Sequence, residues 1–292
     1  MVEKNKGFQI IAHCIMILLT LFCLLPFLLL IASSFTDETT LIQDGYAFFP
    51  KKLSLEAYRY LLVDSTAIAR GYLISVVVTV VGTTINLLLT VMLAYPLSRK
   101  DLPKRNFFAF FLFFTMLFNG GLVPTYIMWT QTFHIKNTIF ALLVPGLLMN
   151  AFNVIMMRTY INSNIPDAVI EAARIDGSGE FRLLIQIILP MSLPIVATLA
   201  LLAGLAYWND WLNGLYYITD DRLFSIQVIL NRMLTKTEML KQAATTGVSM
   251  GPMPEIGIKM AVAVLGALPV LIVYPFFQRY FVKGIAIGAV KG

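Results

Sequence analysis

The side chains most used for metal ligation and nucleophilic attack are scarce in this sequence: two histidines, His13 and His134, and two cysteines, Cys14 and Cys23. His13 and both cysteines fall in one uncharged apolar run, where thiols behave as small hydrophobes and form no disulfide framework. No glycine is followed by lysine, so a G-x-x-x-x-G-K-[ST] phosphate loop is absent, and H-E-x-x-H does not occur. Carboxylates gather in one polar stretch, yet Glu171 and Asp176 are five residues apart, a spacing that turns them away from each other on a helix. These residues provide no acid–base pair, nucleophile or metal cluster, and the chain is expected not to be an enzyme.

The elements around these residues explain the scarcity. Of 292 residues 58% are hydrophobic and 13% charged, and the mean hydropathy is +0.78, values of a membrane protein. Runs without Asp, Glu, Lys or Arg cover residues 8–34, 71–98, 107–133, 137–157, 183–208 and 260–278. Each approaches or exceeds the roughly 20 residues that cross hydrocarbon as a helix. Six spans are predicted in a single all-α transmembrane domain, 1–292. The first run exceeds the h-region of a signal peptide, and no A-x-A-like site follows it, so it is expected to remain as an anchor. Pro26, Gly82 and Pro96 inside the runs read as packing or kinks.

An even number of spans puts both termini on one side. With that side cytoplasmic, segments 1–7, 99–106, 158–182 and 279–292 hold twelve basic and six acidic residues in 54 positions. The outer segments 35–70, 131–136 and 209–259 hold ten of each in 93. The positive-inside rule therefore favours cytoplasmic termini, with Arg99, Lys100, Lys104 and Arg105 as the clearest anchor. These charges are divided among short loops and form no nucleic-acid stripe. Membrane lipids are the expected surroundings.

None of the six runs carries a carboxylate, lysine or arginine, the groups that an ion-coupled carrier uses for relays. His13 and His134 lie near span ends and read as interface residues. Energy for transport must then come from another polypeptide.

The longest predicted cytoplasmic segment, the coupling loop at 163–182, contains Asn164-Ile-Pro-Asp-Ala-Val-Ile-Glu-Ala-Ala-Arg-Ile-Asp-Gly177. Asn164 is expected to cap a short helix, with Pro166 and Asp167 in its first turn and Gly177 at a left-handed stop. A second helix is expected from Glu180 to Leu189-Pro190, where Pro190 and Pro194 bend the chain into the fifth span. Ala172 and Ala173 offer a face small enough for close packing by another protein. Glu171-Ala172-Ala173, three residues, Gly177, nine residues, Ile187, one residue and Leu189-Pro190 resembles the EAA motif of permease subunits in bacterial binding-protein-dependent ABC importers. Ala172-Ala-Arg-Ile-Asp-Gly177 resembles the carbohydrate-uptake, maltose-permease-like branch, and Tyr280-Phe-Val-Lys-Gly284 with Gly288-Ala-Val-Lys-Gly292 resembles its LplC-like subfamily.

The resemblance implies a type I importer fold of six transmembrane helices, with a cytoplasmic coupling helix seated in a cleft of an ATPase subunit. The residues in that role are Glu171, Ala172, Ala173, Asp176, Gly177 and Pro190. It further implies a second permease subunit, two ATPase subunits carrying ATP and Mg, and an extracellular substrate-binding protein or lipoprotein. No cofactor is expected on this chain. The plasma (inner) membrane is the implied location, and the cargo a sugar, leaning to an oligosaccharide. A non-carbohydrate solute and an ion-coupled carrier are the alternatives.

By analogy with the maltose system, the carboxyl tail is expected to reach the ATPase dimer interface. The segment Trp208-Asn209-Asp210-Trp211-Leu-Asn213 fits either an interfacial aromatic belt or a set of partners for sugar rings and hydroxyls. Asn119, with Gly120, Gly121, Pro124 and Tyr126, either lines a pathway or simply breaks the third span. The outer loop 209–259 is expected to hold short amphipathic stretches and the turn-rich Gly251-Pro-Met-Pro254. Tyr46, Phe48 and Phe49 are expected to anchor the loop from Thr36 to Ala69.

Overall fold

A computed structural model of the chain describes residues 6–245 and 255–289. Gly251-Pro-Met-Pro254 and the final Val290-Lys-Gly292 lie outside the described residues. The chain divides into two compact units, Met1–Ile68 with Leu230–Pro269, and Ala69–Ile229 with Val270–Gly292.

In the first unit, helix α1 (Lys6–Ser34) is continuous through Pro26 and exposes its apolar side chains all round, as a helix solvated by lipid does. Helix α2 (Glu38–Asp44) and helix α3 (Glu56–Leu61) follow. The chain between them turns back so that the Asp37 N–H donates to Lys52 O at 3.1 Å and the Ser54 N–H to Phe35 O at 2.8 Å. Phe35 stacks on Tyr58 at 4.9 Å. Tyr46, Phe48 and Phe49 are exposed, as anchors at a membrane surface would be.

The second unit contains the candidate site. Helix α4 (Ser65–Ser98) runs unbroken through Gly82 and Pro96. Gly82 is a close-approach point: an added Cβ would lie 2.5 Å from the Tyr207 ring. Helix α5 (Arg105–Leu117) and helix α6 (Leu122–Ile127), which widens into a π turn at Met128–Thr132, make a 109° bend. The bend lies at Phe118–Gly121, where the Gly121 N–H donates to Asn119 Oδ1 and Pro124 stands in the first turn that follows.

The run 137–157 is not one helix. Helix α7 (Phe140–Leu143) stops before Pro145 and Gly146, and helix α8 (Ala151–Asn164) restarts after Asn150, whose Oδ1 accepts from the Phe152 N–H at 2.9 Å. Beyond helix α9 (Asp167–Ile175), the run 183–208 is also divided. Helix α10 (Glu180–Leu183) passes through a π turn (Leu184–Ile188) into helix α11 (Leu189–Met191), and the long helix α12 (Leu193–Trp208) starts only after Ser192. Pro190 and Pro194 each occupy a first helical turn, where a missing N–H costs nothing.

Helix α13 (Leu212–Tyr217) leads to helix α14 (Ile226–Thr245), a single 20-residue helix in place of the expected short stretches. Helix α15 (Glu255–Ala289) ends the described chain. Among the described residues four helices are long and apolar enough to cross a membrane, or five if the bent α5–α6 pair counts as one span. The protein is an all-α integral membrane protein.

Candidate functional site

Helix α9 is short and two-faced. Ile170 and Ala173, one turn apart, enter a core with Ala94, Leu97, Met157, Ile161 and Leu183, while Ala168, Glu171, Ala172 and Ile175 face outward at helical spacing. Ala172 and Ala173 therefore do not share a docking face, because consecutive helical residues diverge by about 100°. Ala173, 6% exposed, is small so that α9 can lie close to its own bundle, and only Ala172 is free for a partner. Ile175 is 86% exposed and Phe181, on α10, 72%. The sequence reading missed both, although a large apolar residue beside charges is a legible signal.

The start of α9 differs from the expected cap. Asn164 is the last residue of α8 and donates to Tyr160 O at 3.1 Å, while Pro166 precedes α9 without a side-chain cap. The stop is as expected. Gly177 has φ +79, its N–H donates to Arg174 O at 3.0 Å, and the Ser178 N–H reaches Ala173 O at 2.9 Å, the paired bonds of a Schellman motif. Asp176 and Gly177 are exposed at that stop, and Pro190 is exposed on α11.

A charged clamp ties α9 to its neighbours. The Arg174 guanidinium donates to Asp101 at 2.9 Å and also to Glu180, and the Tyr95 hydroxyl donates to Glu180. Lys100 pairs with Asp167 at 2.5 Å, and Arg99 Nε lies 3.3 Å from Asp101, close enough for ion pairing but without hydrogen-bond alignment. Arg158 Nε donates to Leu97 O at 2.9 Å. The hydrogen bond from Arg174 holds the Asp101 carboxyl below its usual range, and those from Tyr95 and then Arg174 do the same for Glu180. Lys100 lowers Asp167 likewise. A groove of about 760 Å³ runs along this clamp between the α4–α5 turn and α8–α9, lined by Arg99, Lys100, Arg105, Asn164 and Glu171 among others. Glu171 and Asp176 make no ion pair among the described residues.

The other sequence candidates are dispersed over the second unit. Asn119 is exposed at the α5–α6 bend, and Tyr126 stacks on Tyr217 at 5.7 Å. Trp208 is only 6% exposed and lies against Tyr72, so it belongs neither to a surface belt nor to an open lining. Asn209 and Trp211 are exposed at the end of α12. Nothing in this set resembles a reaction centre. The arrangement at α9 is mechanical, a small helix pinned on one side and uncovered on the other.

Comparison with known proteins agrees. Residues 87–287 match the family described as "Binding-protein-dependent transport system inner membrane component". The chain is 37% identical over 289 residues, 99% of its length and 100% of the relative's, to the polygalacturonan/rhamnogalacturonan transport system permease protein YtcP of Bacillus subtilis (strain 168). It is 38% identical over 269 residues, 92% of its length and 90% of the relative's, to Protein LplC of the same organism. A solved chain described as a bacterial ABC transporter involved in the import of the acidic polysaccharide alginate aligns with TM-score 0.77 and 28% identity, covering 96% of this chain and 99% of the other. The protein is thus a multi-pass permease subunit rather than an enzyme, and it belongs to the inner membrane component family of binding-protein-dependent transport systems.

Proposed function

We propose that this chain is one of two permease subunits of an ATP-driven sugar importer, and that it passes an oligosaccharide delivered by an extracellular binding protein. Two ATPase subunits carrying ATP and Mg would dock beneath it, one of them on α9. The observation that carries this reading is the division of α9: Ile170 and Ala173 are locked into the bundle, while Ala168, Glu171, Ala172 and Ile175 are left uncovered, as is Phe181 on α10. A helix so built moves with whatever grips its outer face and takes α4 and α12 with it, a rigid lever acting on a bundle with two packings. The transport names of the relatives support a carbohydrate cargo. In this reading the chain crosses the inner membrane six times with both termini cytoplasmic, and the crossing at 137–157 is made by α7, the break and α8. Asp176, Gly177 and Pro190 shape the lever and its joint with α12, and the outer residues Asn119, Tyr126, Asn209 and Trp211 belong to the cargo side.

The test is co-purification of tagged chain from the native host's membranes, with uptake of labelled oligosaccharides measured in the same cells. Wild type is expected to bring down a second permease and an ATPase. Glu171→Lys should stay in the membrane, lose the ATPase and abolish uptake. A wild-type chain that emerges alone, or a Glu171→Lys chain that transports normally, would refute the lever.

A further inference from the structure

The break between α7 and α8 lies at the centre of an uncharged run. Lys136 and Arg158 bracket residues 137–157, and the midpoint of that run is Leu147. Irregular backbone at this depth leaves carbonyls that lipid cannot satisfy, so it persists only where protein or a water-filled path covers it. Here protein supplies the donors. Tyr207 Oη on α12 donates to Leu143 O at 2.8 Å, Asn213 Nδ2 on α13 to Pro145 O at 2.9 Å, and Asn86 Nδ2 on α4 to Leu147 O at 2.8 Å. Three elements thus reach three alternate carbonyls of one segment. Asn86 is 2% exposed, and Thr90 donates to its Oδ1 at 3.4 Å, which fixes the amide with its NH₂ toward Leu147.

The segment has two sides. Ala141, Leu142, Leu143 and Pro145 are buried on the clamped side, while Gly146, Met149 and Asn150 are exposed on the other. Lipid is excluded for the exposed side because the N–H groups of Gly146, Met149 and Asn150 have no backbone partner among the described residues. We propose that residues 144–150 form this chain's wall of the translocation path, and that Asn86, Tyr207 and Asn213 are positioning residues that keep it non-helical. The wall presents main-chain amides, an Asn side chain and a thioether, a surface suited to hydroxyl-rich cargo. This inference rests on the importer reading and adds the part of the path that the chain contributes.

The test uses the complete importer in proteoliposomes with its binding protein, in a background with Cys14→Ser and Cys23→Ser. Met149→Cys is expected to react with a charged, water-soluble methanethiosulfonate at least roughly tenfold faster than Leu18→Cys on lipid-facing α1, and to lose uptake when modified. Equal rates, or modification without inhibition, would overturn the wall. Asn86→Leu, Asn213→Leu and Tyr207→Phe should each lower uptake kcat by roughly fivefold, the scale of one buried hydrogen bond, with KM unchanged. Tyr207→Phe removes a single oxygen and keeps the ring against Gly82, so it reports even where a larger change fails to assemble. Per-complex kcat equal to wild type in Tyr207→Phe and in whichever other variants assemble would overturn the clamp. An inactive wild-type importer would instead count against the importer reading.

Discussion

Gly177 shows how far a single residue can be read from sequence. Its role as a stop was legible because a helix that ends in the left-handed region selects glycine, and the Schellman bonds to Ala173 and Arg174 are the physical form of that stop. An added Cβ meets nothing within 4 Å, so a substitution here acts through backbone strain and not through a clash within this chain. Asparagine tolerates positive φ and β-branched residues do not. Gly177→Asn is therefore expected to keep most of the binding-protein-stimulated ATPase and uptake, while Gly177→Val loses about tenfold of both, the effect of one to two kcal/mol of strain at the lever. Uptake and ATPase measured on equal amounts of assembled complex decide it, and a fully active Gly177→Val would show that the left-handed turn is dispensable. The division of Ala172 from Ala173 was legible only in part. Their identity marks a close-packed helix, but which alanine faces the bundle depends on where Ile170 finds its pocket, a tertiary fact.

Among the elements, the long helices α1, α4 and α15 follow their uncharged runs, α1 and α4 continuing through Pro26 and Pro96. The runs 107–133, 137–157 and 183–208 gave no warning through charge of their breaks. The cues were Asn119-Gly-Gly, Pro145-Gly146 and Pro190 with Pro194, which sequence alone does not separate from harmless kinks. The deciding partners are remote: Asn86 and Tyr207 lie 61 and 64 residues from the carbonyls that they hold. The charged clamp was equally hidden, since Arg174 and Asp101 are 73 residues apart. A single nitrogen of Arg174, Nη2, donates to both carboxylates, a bridge that the three donors of a lysine ammonium reproduce in part. Arg174→Lys should lower sugar imported per ATP by about two- to threefold and Arg174→Ala by roughly tenfold. Unchanged stoichiometry in the alanine variant would remove the clamp from the lever. Asp101 and Glu180 have depressed pKa values, so their contribution is complete above the ordinary carboxylate range and disappears only as pH falls below it. Stoichiometry is accordingly expected to be flat from about pH 8 to about pH 5. A loss within that window would assign the coupling to some other titrating group.

For the whole molecule, the distribution of charge sets orientation. With basic residues concentrated in the segments 1–7, 99–106 and 279–292, a fluorescent-protein fusion after residue 292 should be bright, and a phosphatase fused within 219–257 active. A dark terminal fusion with an active phosphatase at the terminus would invert the topology. Helix α1 adds a property of a different kind. The most apolar 18-residue stretch of its span, Gly7–Ser34, has no buried residue among the described residues. At 1.5 Å per residue the 28 residues of the span are about 42 Å long, against a hydrocarbon layer of about 30 Å. Hydrophobic mismatch of that size is relieved by tilt, by local thickening of the bilayer, or by carrying the ends into the headgroups. Since α1 is held only near its end among the described residues, where the Ser34 and Tyr58 hydroxyls are hydrogen-bonded at 2.9 Å, the membrane itself becomes one of the variables that set the angle at which the chain enters Thr36 and the outer segment beyond.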